Sequence, residues 1–141
     1  MILISHRGNI SGPNKLLENS PDYILQAVSK YNVEIDVWYK ESNFYLGHDE
    51  PQYLIDEEFL FINNLWCHAK NLDGLVKLLE FNVHCFWHQN DDVTLTSNNY
   101  IWTYPGKDIS NSKAIAVMPE LNKGWDISKA EGICSDYISN F

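Results

Sequence analysis

Alternation between apolar and polar positions is the clearest regularity in the chain. Short runs of aliphatic, β-branched or aromatic residues recur at ILIS (2–5), VEIDVWY (33–39), NFYLG (43–47), NLWCHA (64–69), VHCFWH (83–88), NYIWTY (99–104), KAIAVM (113–118) and GICS (132–135). Most stop at a polar or Gly/Pro cluster, as strands do. Between some of them the period lengthens to that of a helix. The segment 20–31 offers Ser20 as a cap and Pro21 in the first turn, with Ile24, Ala27, Val28 and Tyr31 on one stripe. The segment 71–81 sets Leu72, Leu75, Val76 and Leu79 on another. A shorter helix is predicted over 55–62 and a weak one over 126–132.

Strands that alternate with helices predict a mainly parallel α/β domain spanning 1–141. Its length limits the architecture. A complete eightfold barrel takes about 250 residues, and this chain has 141. The stretches 39–43 and 89–99 read as turns or loops, too short for crossover helices. The expected fold is a small, trimmed TIM-like (β/α) barrel, its strands mainly parallel and some crossover helices missing.

Strand parity then sorts the polar residues. In VEIDVW, Glu34, Asp36 and Trp38 share one face, and Val33, Ile35 and Val37 share the other. Two neighbouring carboxylates on an inner face resist burial unless a cation sits between them. In LWCHAK, Trp66, His68 and Lys70 share a face. His6-Arg7, His48-Asp49 and His88 also end apolar runs, and in parallel α/β folds the carboxyl edge is where ligands bind. This set suits a phosphodiester. The acids hold a divalent ion against a phosphoryl oxygen, Arg7 and Lys70 add positive charge, and two histidines divide the proton transfers. A zinc hydrolase would use similar residues, but the HExxH spacing is absent. Trp38 and His88 are candidate substrate contacts at the mouth, and Asp136 is a candidate to orient a neighbour.

Composition narrows the partners. The net charge is −9 without a Lys/Arg cluster, which disfavours nucleic acid and anionic membrane surfaces. No apolar run approaches the ~20 residues of a membrane span, so no transmembrane segment is expected. The three cysteines lie in apolar runs with no CxxC, and MILIS is too short for a leader's apolar region. Together these predict buried free thiols and a cytoplasmic protein. Oligomeric state is not legible.

The motifs, taken in order, resemble those of the glycerophosphodiester phosphodiesterases, within the phosphatidylinositol-phospholipase-C-like barrel superfamily. His6-Arg7-Gly8 resembles the family's opening histidine motif. Glu18-Asn19 resembles its following Glu-Asn, Glu34-Ile35-Asp36-Val37 its acidic metal motif, and His48-Asp49 its second histidine motif. The stretch 132–137 resembles the end of the barrel. The resemblance implies His6 and His48 as the acid–base pair, Glu34 and Asp36 as metal ligands, and Arg7 and Lys70 on phosphate, with Asn19 hydrogen-bonding at the substrate or metal. It implies metal-dependent hydrolysis of a small glycerophosphodiester-like substrate, through a cyclic phosphate. The alternatives are a phosphate-ligand binding module without hydrolysis and a phospholipase D-like lyase, which fits the same residues. One departure bears on the cofactor: where the family carries Glu-x-Lys, this chain has His68-Ala69-Lys70. The resemblance implies one Mg²⁺ or Ca²⁺, whereas His68 as the third ligand favours Mn²⁺ or Zn²⁺.

Overall fold

The computed structural model describes residues 1–110 and 113–141. Among the described residues, ten strands form a single curved, mostly parallel sheet: β1 (Ile2–His6), β2 (Asn32–Lys40), β3 (Asn43–Leu46), β4 (Tyr53–Ile55), β5 (Leu65–Ala69), β6 (Cys85–Trp87), β7 (Val93–Leu95), β8 (Ile101–Thr103), β9 (Ala114–Val117) and β10 (Gly132–Ser135). The long path runs β4-β3-β2-β1-β10-β9-β8-β7, and β5 joins the other edge of β2 and carries β6. The β2–β3, β3–β4 and β7–β8 pairs are antiparallel and the rest are parallel. Two α-helices lie among the described residues, α1 (Pro21–Val28) and α2 (Leu72–Glu80).

This corrects the expected architecture. The sheet is an open half-barrel that turns through 206° and leaves a 25 Å gap, not a trimmed (β/α)₈ barrel. Strand β6 meets the segment after β7 through isolated bonds, such as the Ser97 amide to the Cys85 carbonyl at 2.8 Å, without a strand ladder. The missing helices have a visible substitute. Where crossovers around β9 would carry helices, Ile109, Trp125, Ile127 and Ala130 pack as irregular segments against Ala114 and Ala116. The region 126–132 accordingly forms no helix, and 55–62 divides into the end of β4 and a 3₁₀ turn over Glu57–Phe61. Strands β4 and β7 lie in stretches where no strand was expected.

The two faces of the sheet have different cores. Val33, Ile35, Val37, Leu65, Cys67 and Ala69 pack outward against Ile24 and Ala27 of α1 and Leu78 of α2. Inside the curve, Ile4, Trp66, Phe86, Trp102, Ile115, Val117 and Cys134 fill the concave face. The alternation of β2 and β5 is thus the boundary between two cores. α1 buries its expected Ile24 and Ala27. α2 is rotated from its expected stripe: it buries Gly74 and Leu78, while Leu72, Val76 and Leu79 are exposed. Gly74 explains the rotation, since a Cβ there would lie 3.3 Å from the Val37 carbonyl, so the helix presents its thinnest side to the sheet. No helix of the described residues is long and apolar enough to cross a membrane.

Candidate metal centre

The polar side chains on the concave side collect at the carboxyl ends of β1, β2, β5 and β10. Register makes this collection possible. His6 pairs with Glu34 across β1–β2, and Asp36 pairs with His68 across β2–β5. Glu34 and Asp36 stand two residues apart on β2, so both point to the same side. Both are buried, Glu34 at 2% and Asp36 at 0% exposure.

Glu34, Asp36 and His68 form a group whose ligand atoms all lie within 4.8 Å of one another. His68 Nδ1 is 3.3 Å from Asp36 Oδ1 and 3.6 Å from Glu34 Oε1. Its Nε2 donates to the His88 carbonyl at 2.9 Å, which turns Nδ1 toward the acids. Glu34 Oε2 and Asp36 Oδ1 are buried without a hydrogen-bond partner. Buried carboxylate oxygens are costly to leave without hydrogen bonds, and two of them beside an imidazole form a donor set able to hold a divalent cation.

The opposite oxygen of Asp36 is well held. Asn19 donates from Nδ2 to Asp36 Oδ2 at 2.8 Å and accepts the Asp36 amide on Oδ1 at 2.9 Å. Arg7 Nε lies 2.9 Å from the same Oδ2, and Lys70 Nζ 3.6 Å from Oδ1. Arg7 and Asn19 both adopt left-handed backbone, at φ 56° and 63°. That geometry costs about 1 kcal/mol for a residue such as Arg, and the backbone clamps it. The Arg7 amide donates to the Glu34 carbonyl at 2.9 Å, and the Asn19 amide to the Arg7 carbonyl at 3.1 Å. The next residue, Gly8, has φ 93°, and a Cβ there would strike the Tyr23 ring at 2.6 Å. The Arg7-Gly8 pair is thus the turn that folds a guanidinium back onto Asp36.

Electrostatics follow from burial and charge. Burial pushes Asp36 upward, but His68, Arg7 and Lys70 outweigh it and hold the carboxyl well below its usual range. Burial would lower His68, yet its pairing with Asp36 and Glu34 raises it to about 9. The Asp36 carboxylate is thus matched by the His68 imidazolium together with Arg7 and Lys70. His6 is raised as well. Burial opposes this, and the bond to Asp136 with the Glu34 charge prevails.

The remaining expected site residues divide. His6 belongs to the cluster's edge, its Nδ1 2.7 Å from Asp136 Oδ1 and its Nε2 3.9 Å from Glu34 Oε2. His48 does not join it; the residue is exposed, its Nδ1 bonded to Asp49 at 2.7 Å. It lines a cavity of about 380 Å³ with Lys15, Glu18, Asp49, Glu50 and Gln52, to which Arg7 and Asn19 also contribute. Trp38 donates from Nε1 to the Gly47 carbonyl at 2.7 Å and so ties down the β2–β3 hairpin. His88 is buried against Tyr104, ring centroids 4.0 Å apart, with both ring nitrogens unpartnered. Asp136, the candidate to orient a neighbour, does hold His6, and Glu120, after the apolar run 113–118, accepts from Ser135 Oγ and the Asp136 amide. Asn9, which donates to Glu18 and Asp136, carries no mark in the sequence, because its partner Asp136 lies over a hundred positions away.

Comparison with family models, with curated proteins and with solved structures finds no match to the chain. The resemblance to glycerophosphodiester phosphodiesterases fails on architecture, because an open half-barrel with two α-helices stands where that family has a closed TIM barrel. The readings that presumed the barrel fall with it: a phosphoric diester hydrolase of lipid metabolism, its two-histidine cyclic-phosphate mechanism, and the lyase and non-hydrolytic variants of that family site. What remains is the buried acid–histidine cluster itself, a group of residues able to hold a metal ion.

Proposed function

We propose that this protein binds one divalent first-row metal ion through Glu34, Asp36 and His68. The observation that carries the reading is the pair of buried oxygens without a hydrogen bond, Glu34 Oε2 and Asp36 Oδ1, beside a histidine whose other nitrogen is already engaged. Two hard oxygens and one imidazole favour Mn²⁺ or Zn²⁺ over Mg²⁺ and Ca²⁺, which prefer oxygen alone.

Calorimetric titration of the metal-free protein with Mn²⁺, Zn²⁺, Mg²⁺ and Ca²⁺ tests this. One equivalent of Mn²⁺ or Zn²⁺ is expected to bind, with Mg²⁺ and Ca²⁺ weaker. His68→Ala is expected to lose at least about tenfold in affinity. Absence of stoichiometric uptake by a folded wild-type protein would overturn the metal reading.

A further inference from the structure

We propose that His6 supplies a further ligand through Nε2, so that Glu34 chelates the ion with both oxygens between two imidazoles. This rests on the metal-binding reading above and completes its ligand set.

Three observations converge on His6. The first is register. Strand β2 carries both acids and lies between β1 and β5, with His6 opposite Glu34 on one side and His68 opposite Asp36 on the other. The two acids are flanked by one histidine from each neighbouring strand.

The second is the treatment of the far nitrogen. His6 Nδ1 bonds Asp136 Oδ1 at 2.7 Å, which places the proton on Nδ1 and the lone pair on Nε2. Asp136 is itself fixed by Asn9 Nδ2 on that same oxygen at 2.8 Å, and its amide is held by Glu120 Oε1 at 3.0 Å. A carboxylate that locks one ring nitrogen so that the other faces an ion is the usual support of a metal-bound histidine. His68 has the equivalent support from the His88 carbonyl.

The third is spacing. His6 Nε2 faces Glu34 Oε2 at 3.9 Å, and that oxygen is buried without a hydrogen-bond partner. The separation is too long for a hydrogen bond. It fits two ligands of one ion, because metal–ligand bonds of about 2.0–2.2 Å put ligand atoms roughly 3 to 4.4 Å apart. The His68 separations of 3.3 and 3.6 Å fall in the same interval. Glu34 therefore offers one oxygen toward each histidine. His48, exposed and paired with Asp49, shows none of these features.

The test uses ¹⁵N-labelled wild-type protein titrated with Zn²⁺ and followed by long-range ¹H–¹⁵N spectra of the imidazole nitrogens. His6 Nε2 and His68 Nδ1 are both expected to move to metal-bound positions at one equivalent, while His84 and His88 stay in place. A shift confined to His68 would overturn the assignment of His6 and leave the three-residue site standing. No imidazole shift at all would remove the metal reading itself. In parallel, His6→Gln should weaken Zn²⁺ at least about tenfold, with His84→Gln unchanged. Equal affinity in His6→Gln and wild type would also overturn the proposal.

Discussion

Lowering the pH should destabilise the fold through a histidine remote from the metal centre. His84 sits against Trp66 with ring centroids 4.1 Å apart, bonds Thr96 Oγ1 through Nε2 at 2.9 Å, and lies 6.0 Å from the Tyr100 ring. The Lys113 ammonium lies over that Tyr100 ring, 5.4 Å from its centroid. Burial lowers the His84 pKa from 6.5 to about 4. The folded state thus disfavours the charged ring, and the unfolded state binds the proton more readily. Stability from this group is fully present above pH 6.5, falls with decreasing pH, and levels off below about 4. Between pH 6.5 and 5 an unscreened group would cost about 2 kcal/mol, from 1.36 kcal/mol per pH unit. Partial exposure of the ring reduces this to about 1 kcal/mol, or roughly 3–5 °C in Tm for a chain of this size. The assay compares thermal unfolding of wild type and His84→Gln at pH 7 and pH 5. Contributions from His6, His68 and His88 are common to both proteins and cancel in the double difference. The variant should lose about 1 kcal/mol less than wild type on acidification. Equal losses would refute the reasoning, whatever the variant's stability at neutral pH.

Other outcomes follow from single contacts. Gly132→Ala would place a Cβ 2.7 Å from the Ile2 carbonyl and 2.8 Å from Ile2 Cβ; overpacking there should cost about 1–3 kcal/mol in urea denaturation. Asn19→Ala removes both bonds to Asp36 and leaves a buried amide unpaired, a loss of about 3 kcal/mol by the same measure. Trp66→Ala should cost about 3–5 kcal/mol, because the ring packs on Trp102 and Tyr100 inside the curve. Mn²⁺ at a hundredfold excess over its Kd should stabilise the protein by about 2.7 kcal/mol, and EDTA should return the melting curve to that of the metal-free protein.

Short-range regularities were legible and closure was not. Period-2 alternation in 33–38 and 65–70 separates Val33, Ile35, Val37, Leu65, Cys67 and Ala69 from Glu34, Asp36 and His68, and the outer core falls on the first set and the polar cluster on the second. That regularity is enforced by the pleat of each strand, so local residues reveal it. Whether the sheet closes depends on which strands pair across the whole chain, and no segment encodes that alone. A run of scattered motifs in family order suggested a barrel that the pairing of β2 with β1, β3 and β5 does not build. The α2 stripe misled for another reason. Leu72, Val76 and Leu79 form the more apolar face, but Gly74 permits closer approach to β2, and proximity decided the orientation. His48 follows an apolar run like His6, yet β3 turns antiparallel to β2 and leaves it at the rim with Asp49.

The pairing of β1 with β10 has a consequence for synthesis of the protein. Asp136, the anchor of His6, is added 130 residues after it. As the ribosome extends the chain, Glu34, Asp36 and His68 emerge early, while the partner that orients His6 is made much later. Strand β1 has only one of its two neighbours until then. Such a nascent chain cannot complete its central ladder by local steps, and contacts of this span make for slow folding. Translation therefore leaves an interval in which the acids are made but His6 is unanchored. A fragment that stops short of residue 136 never leaves that interval.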